Sequence, residues 1–172
     1  DAEGNFPYAD KLVQIAEYYG FDGWFVNLEG SDSPSGQAKT ELQAMLAYMR
    51  EKGQYIQYYN AGGSIDTSFL TSGAADSFFK DYGWSTSGAK NETAQYGYEA
   101  VFGGFEAGGA RWSGSGQGNY SKLWSDGSIV CSIATLGTDF VHAGIDEDFG
   151  NYLELRRETD DFQWMSAVRE RM

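Results

Sequence analysis

The chain has 172 residues, with 12 Lys and Arg against 25 Asp and Glu, and a formal net charge of -13. That imbalance excludes a phosphate-backbone partner, which needs a basic face, so no nucleic acid is expected, and it disfavours an anionic membrane surface. The length suits one domain over residues 1–172, but it falls short of the roughly 200 to 250 residues of a closed (β/α)8 barrel.

The N-terminal Asp1-Ala2-Glu3-Gly4 has no signal-peptide character. The missing initiator Met leads to the expectation of a processed chain or a fragment. Ala9, Leu12, Val13, Ala16 and Tyr19 then fall at helical spacing, and Gly20 sits where a left-handed C-cap would end the helix. Trp24 to Glu29 predicts a short strand. Leu42, Met45, Leu46 and Met49 repeat the helical spacing, Gly53 follows the last turn, and Tyr55 to Asn60 reads as a second strand. This succession of helix, glycine and strand signals parallel β/α architecture. Further along, Asp76 to Lys80 reads as a short buried strand, and Thr93 to Tyr98 as a helical turn feeding a strand from Ala100 to Glu106. Helix is expected over Tyr120 to Asp126, strand over Ser128 to Leu136, and helix over Tyr152 to Arg157 and Asp161 to Arg171. With no Pro-rich linker or composition break, these elements form an α/β fold with five strands. They amount to about five-eighths of a TIM barrel, or alternatively an open parallel sheet. No run approaches the ~18 apolar residues of a membrane span.

Period-two alternation points Trp24, Val26 and Leu28 one way and Phe25, Asn27 and Glu29 the other. Asn27 and Glu29 thus share a face, about 6.5 to 7 Å apart along the strand, at the carboxyl end where α/β enzymes place their sites. An amide and a carboxyl above the apolar Phe25 lose solvation unless they bind something. Such a Glu can have its pKa raised and serve as a proton donor; the other reading is a polar pair in a solvated loop mouth. Tyr59 ends the second strand on the same face as Gln57, as a hydrogen-bond donor into the mouth or as core. Asn60 and Gly62-Gly63 follow it. Asp81, Tyr82 and Trp84 lie just past the third strand, and Glu106 ends the fourth.

Aromatic residues make up 16% of the chain. Their apolar faces and polar edges suit stacking on sugar rings, although many will fill core. A neutral ligand such as a sugar is also compatible with the acidic charge. Other candidates carry less. His142 is the sole histidine and no G-x-S-x-G elbow accompanies it, so it reads as a loop residue. Cys131 sits in an apolar run, reads as packing, and as the one cysteine excludes an intrachain disulfide. Gly103-Gly104 and Gly108-Gly109 match no phosphate or dinucleotide fingerprint. Asp146-Glu147-Asp148 lacks EF-hand spacing and reads as a solvated acidic turn.

Tyr18 to Glu29, containing G-F-D-G-W-F-V-N-L-E, resembles the catalytic motif of glycoside hydrolase family 85, the endo-β-N-acetylglucosaminidases. Tyr59-Asn60 is similar to that family's Tyr-Asp strand end, with Asn for Asp. Phe78 to Trp84 resembles its F-F-L-N-Y-x-W segment, with Asp81 for Asn, and Val101 to Glu106 its V-[FY]-x-G-[IVL]-[DE] strand. The motifs keep their order over most of residues 8 to 145.

The resemblance implies a partial TIM barrel in which this chain supplies strands four to eight. The first three βα units would come from the rest of a longer polypeptide. It implies an N-glycan or glycoprotein substrate, cut within the N,N′-diacetylchitobiose core by a retaining, substrate-assisted mechanism. Asn27, Glu29 and Tyr59 would be catalytic. Phe25, Asn60, Asp81, Tyr82, Trp84 and Glu106 would contact substrate, with Trp84 stacking on or gating the sugar. No metal or organic cofactor is implied. A two-carboxylate retaining glycosidase pairing Glu29 with Glu106 or Asp81 is the alternative enzyme, and a non-catalytic glycan-binding barrel fragment is the alternative of another class. A glycan-degrading role places the protein outside the cell or on a bacterial cell surface, with the cytoplasm as second choice.

Overall fold

The structure, a computed structural model, describes residues 6–29, 34–61, 65–106 and 120–136, with the backbone alone of Glu106 and Leu136. Helix α1 (Pro7–Tyr19) begins with proline at its first position, where a missing N–H costs nothing. It buries Ala9, Val13 and Ala16, one face at i, i+4 and i+7. Gly20 ends it at φ 74°, and the N–H groups of Gly20 and Phe21 both return to the Ala16 carbonyl. Strand β1 (Gly23–Leu28) follows, then α2 (Gly36–Glu51), which buries Leu46 and Met49, and β2 (Tyr55–Asn60). These four elements lie where the periodicity places them.

Strand β3 (Ser77–Lys80) and strand β4 (Val101–Glu106) complete the regular pattern, with α3 (Thr67–Thr71) before β3 and α4 (Thr86–Tyr96) before β4. Helix α3 carries no sequence expectation, because five residues are too few to show a period; its start is fixed by Asp66, which accepts the Ser68 N–H. Helix α4 is longer than the single turn expected near Thr93. Its buried face is only Ala89 and Thr93, which gives almost no hydrophobic signal, and its start is set by Ser85 accepting the Gly88 N–H.

Two expectations near the end of the described chain need correction. Residues expected as a helix from Tyr120 to Asp126 form a 3-10 turn at Tyr120–Leu123 and a short strand β5 (Trp124–Ser125). The single strand expected over Ser128 to Leu136 is split into β6 (Ser128–Ile129) and β7 (Ser132–Leu136). Asp126 at φ 52° and Gly127 at φ 76° form a two-residue turn that folds β6 back on β5. Asp-Gly is the pair such a turn requires. The Val130 N–H then bonds the Leu123 carbonyl, closing the hairpin before β7 begins. The helices expected over Tyr152 to Arg157 and Asp161 to Arg171, together with Gly62-Gly63, Gly108-Gly109, His142 and Asp146 to Asp148, lie outside the described residues.

The main sheet has five strands in the order β1-β2-β3-β4-β7, and every neighbouring pair is parallel. The fold is therefore mixed α/β with an open parallel sheet, in a form compatible with part of a barrel. One face carries the large cores. Ile56, Tyr58 and Phe78 pack there with Leu46, Met49 and Phe69, joined by Trp24, Val26 and Leu28. Beside them Trp84, Val101, Phe105, Leu123, Val130 and Cys131 form a second cluster. The opposite face holds a smaller group of Tyr59, Phe79 and Tyr82. Among the described residues, no helix is long and apolar enough to cross a membrane.

Candidate active site

The site begins with the pleat of β1. Trp24, Val26 and Leu28 are turned into the helix-side core, so Phe25 and Asn27 must face the other way. Glu29 follows one residue after the strand. The Asn27 Nδ2 donates to Glu29 Oε1 at 3.1 Å, and both side chains are exposed. The amide is thereby oriented by the acid, and among the described residues its carbonyl oxygen and the second carboxyl oxygen take no further hydrogen bond.

The neighbouring strands add aromatic and polar groups in register. Asn27 pairs directly with Tyr59 across β1 and β2, which places the two on one face at the ordinary interstrand spacing of about 4.8 Å. The Tyr59 ring is stacked on Phe25, with centroids 6.0 Å apart, and meets the edge of Phe79 at 5.6 Å. Phe79 in turn packs edge-on against Tyr82. Gly104 on β4 makes room for this floor, because a side chain there would enter the Phe79 ring. The Tyr59 hydroxyl donates to Asp81 Oδ1 at 3.4 Å, and the same oxygen accepts the Tyr82 N–H at 2.8 Å. Asn27, Glu29, Tyr59, Phe25, Asp81 and Tyr82 are thus gathered at the carboxyl end of one sheet face.

Two other expected site residues are placed differently. Trp84 is 4% exposed and belongs to the helix-side core. Its indole N–H donates to the Gly104 carbonyl, its face is covered by Lys122, and the absence of a side chain at Gly103 lets it lie against β4. It supports the site from behind, and the structure does not bring its ring to the Asn27–Glu29 pair. Asn60 pairs with Leu28 and so falls on the helix side of the sheet, where its Oδ1 is buried without a hydrogen-bond partner among the described residues. Glu106 ends β4, and its side chain is outside the described residues. Phe79 and Lys122 are the contributors that sequence reasoning passes over. Phe79 reads as core, and Lys122 sits in a segment without periodicity. A cleft of about 480 Å3 lined by Arg50, Tyr55, Asp76, Tyr96 and Glu99 opens at the amino ends of β2 to β4. It lies at the far end of the strands from the pair, where parallel α/β folds place stabilising rather than reacting groups.

A parallel sheet that presents a carboxyl hydrogen-bonded to a carboxamide above an aromatic floor at its carboxyl edge has these groups where enzymes of the α/β class carry their sites. Residues 1–166 match glycosyl hydrolase family 85, and the chain belongs to that family. It is 30% identical over 103 residues to the cytosolic endo-β-N-acetylglucosaminidase of Mus musculus, covering 52% of this chain and 14% of that protein. It is 32% identical over 114 residues to the protein of the same name from Danio rerio, covering 56% of this chain and 16% of that protein. The matched region is therefore a small part of either relative. No solved structure matches the chain. The relatives also overturn the expected location outside the cell or on a cell surface, since both are named as cytosolic proteins.

Proposed function

We propose that this chain carries the catalytic pair of an endo-β-N-acetylglucosaminidase acting on the N,N′-diacetylchitobiose core of N-linked glycans. The observation that carries the reading is the 3.1 Å hydrogen bond between Asn27 and Glu29, on the open sheet face and in register with Tyr59. Membership of the family supports the class of reaction. In this reading the substrate's own 2-acetamido oxygen attacks the anomeric carbon while the bond to the departing GlcNAc oxygen breaks. Glu29 gives its proton to that oxygen. Asn27, held by Glu29, orients and polarises the acetamide, and the Tyr59 hydroxyl hydrogen-bonds it. The resulting oxazoline-like ion, which keeps the acetamide N–H proton, is opened by water at the anomeric carbon, and Glu29 takes the water's proton. Attack from the same side as the departed group retains configuration, without the second carboxylate of the two-acid scheme.

Phe25 forms the apolar floor beneath the sugar, and Asp81, Tyr82 and Glu106 line its edge. Trp84 and Asn60 act from behind the strand ends. Strands β1 to β4 and β7 correspond to strands four to eight of a TIM barrel in one domain, and the remaining βα units are contributed by the rest of a longer polypeptide. Among the described residues no strand pairs with the outer edge of β1 or β7, which fits that arrangement.

Replacing Glu29 by Gln in the full-length polypeptide removes the transferable proton at nearly constant shape. Hydrolysis of an N-glycan is expected to fall by about 10² to 10⁴; near-normal turnover would rule the role out. Asn27→Ala is expected to disable both formation of the intermediate and use of a supplied sugar oxazoline. Unimpaired use of that donor would remove Asn27 from the mechanism.

A further inference from the structure

Lys122 lies in the 3-10 turn after β4, outside every motif that points to the reaction, yet its ammonium reaches the segment that carries Asp81, Tyr82 and Trp84. Its Nζ donates to the Tyr82 carbonyl at 2.5 Å and stands 4.4 Å from the centre of the Trp84 ring and 5.2 Å from that of Phe105. The turn itself is tied down, since Thr86 Oγ1 donates to the Lys122 carbonyl at 2.8 Å and Tyr120 stacks on Phe105 at 4.4 Å. Tyr82 is thus gripped on both sides of its backbone, with its N–H on Asp81 Oδ1 and its carbonyl on Lys122. The carboxylate so fixed is the one that accepts the Tyr59 hydroxyl.

We infer that Lys122 is a positioning residue that clamps residues 81 to 84 so that Asp81 holds the Tyr59 hydroxyl beside the Asn27–Glu29 pair. The inference rests on the proposed hydrolase reading for its kinetic consequence and on geometry alone for the clamp. A surface lysine would spend its charge in water. This one is partly withdrawn among Trp84 and Phe105, where burial pushes its pKa below the ordinary value against the opposing pull of Cys131 and Asp81. Cation–π contact over a tryptophan strengthens when desolvated, which makes such a side chain a stiff strut rather than a flexible one.

The test compares Lys122→Met, Lys122→Arg, Tyr59→Phe and the Lys122→Met/Tyr59→Phe double variant in the full-length polypeptide. Lys122→Met is expected to lower kcat by about tenfold with a smaller change in KM, and Lys122→Arg, which keeps a cation and donors, to recover most of it. In the Tyr59→Phe background Lys122→Met should add less than about twofold, because the hydroxyl it serves is already gone. A full tenfold loss in that background overturns the inference. If the unaltered polypeptide cleaves no N-glycan, the hydrolase reading fails, and the clamp is judged by amide hydrogen exchange. Faster exchange at residues 81–84 in Lys122→Met and slow exchange in Lys122→Arg uphold the clamp; unchanged exchange in Lys122→Met overturns it. Should Lys122→Met not fold, Lys122→Gln replaces it in every comparison.

Discussion

Ile56, Tyr58 and Phe78 project from the helix-covered face of the sheet and are at most 1% exposed, whereas Phe25, on the opposite face of β1, is 42% exposed. Both faces are apolar at mid-strand, but only one is covered by α1, α2 and the elements that follow. A parallel sheet is ordinarily buried on both sides. The contrast separates two duties: the covered face supplies the stability, and the open face carries Asn27, Glu29 and Tyr59 over an incompletely covered aromatic floor. Asn27 and Glu29 at the carboxyl edge are exposed, whereas Tyr59, Phe79 and Tyr82 beside them are buried.

The division can be tested by substitutions on the two faces. Phe78→Ala removes a side chain that contacts Tyr58 and lies in the main core, and an unfolding free-energy loss of about 3–5 kcal/mol is expected by denaturant titration. Phe25→Ala should cost only about 1 kcal/mol in this chain, since much of the ring is already in water. A loss equal to that of Phe78→Ala would mean that the open face is covered, as closure of a barrel would cover it. Gly104→Ala probes the floor between these extremes: the added methyl enters the Phe79 ring and meets the Lys80 backbone carbonyl, and about 1–3 kcal/mol should be lost, with Tyr59 displaced in the same variant.

The smallest expected effect lies over the covered face, at the start of α3. Burial pushes the Asp66 carboxyl up, but the 2.6 Å ion pair with Lys39 and the hydrogen bonds from Ser68 outweigh it and hold the group below its ordinary value. A depressed carboxyl contributes stability that is complete above the unfolded value, about pH 4, and is lost as pH falls through the lower folded value. Asp66→Asn should therefore flatten the acid limb of the stability profile by about 0.2–1 kcal/mol, since both partners are partly in water. An unchanged acid limb would show that the pair contributes nothing.

Much of the fold was legible because α1, β1, α2 and β2 each bury a face at a regular interval, and Gly20 marks a left-handed cap. Helix α4 was largely hidden because its inward face is one alanine and one threonine. The β5–β6 hairpin was hidden for another reason: Asp126 fell at the end of an expected helix, and the apolar run from Ile129 to Ile133 read as one continuous strand. At the site, alternation put Asn27 and Glu29 on one face. It could not distinguish Tyr82, which packs on Phe79, from Trp84, which turns back into the helix-side core, because past the end of β3 the pleat no longer dictates direction.

What the sequence by itself determined is the local grammar: parallel β/α order, the shared face of Asn27 and Glu29, and the family motif around them. These depend on neighbours within a few residues, where backbone geometry leaves little choice. Only the tertiary structure decided that Asn27 stands in register with Tyr59, that Asp81 takes the Tyr59 hydroxyl, and that Lys122 reaches 40 residues back to the Tyr82 carbonyl. Such contacts follow from which strands become neighbours and how their ends are packed, and no periodicity along the chain encodes that.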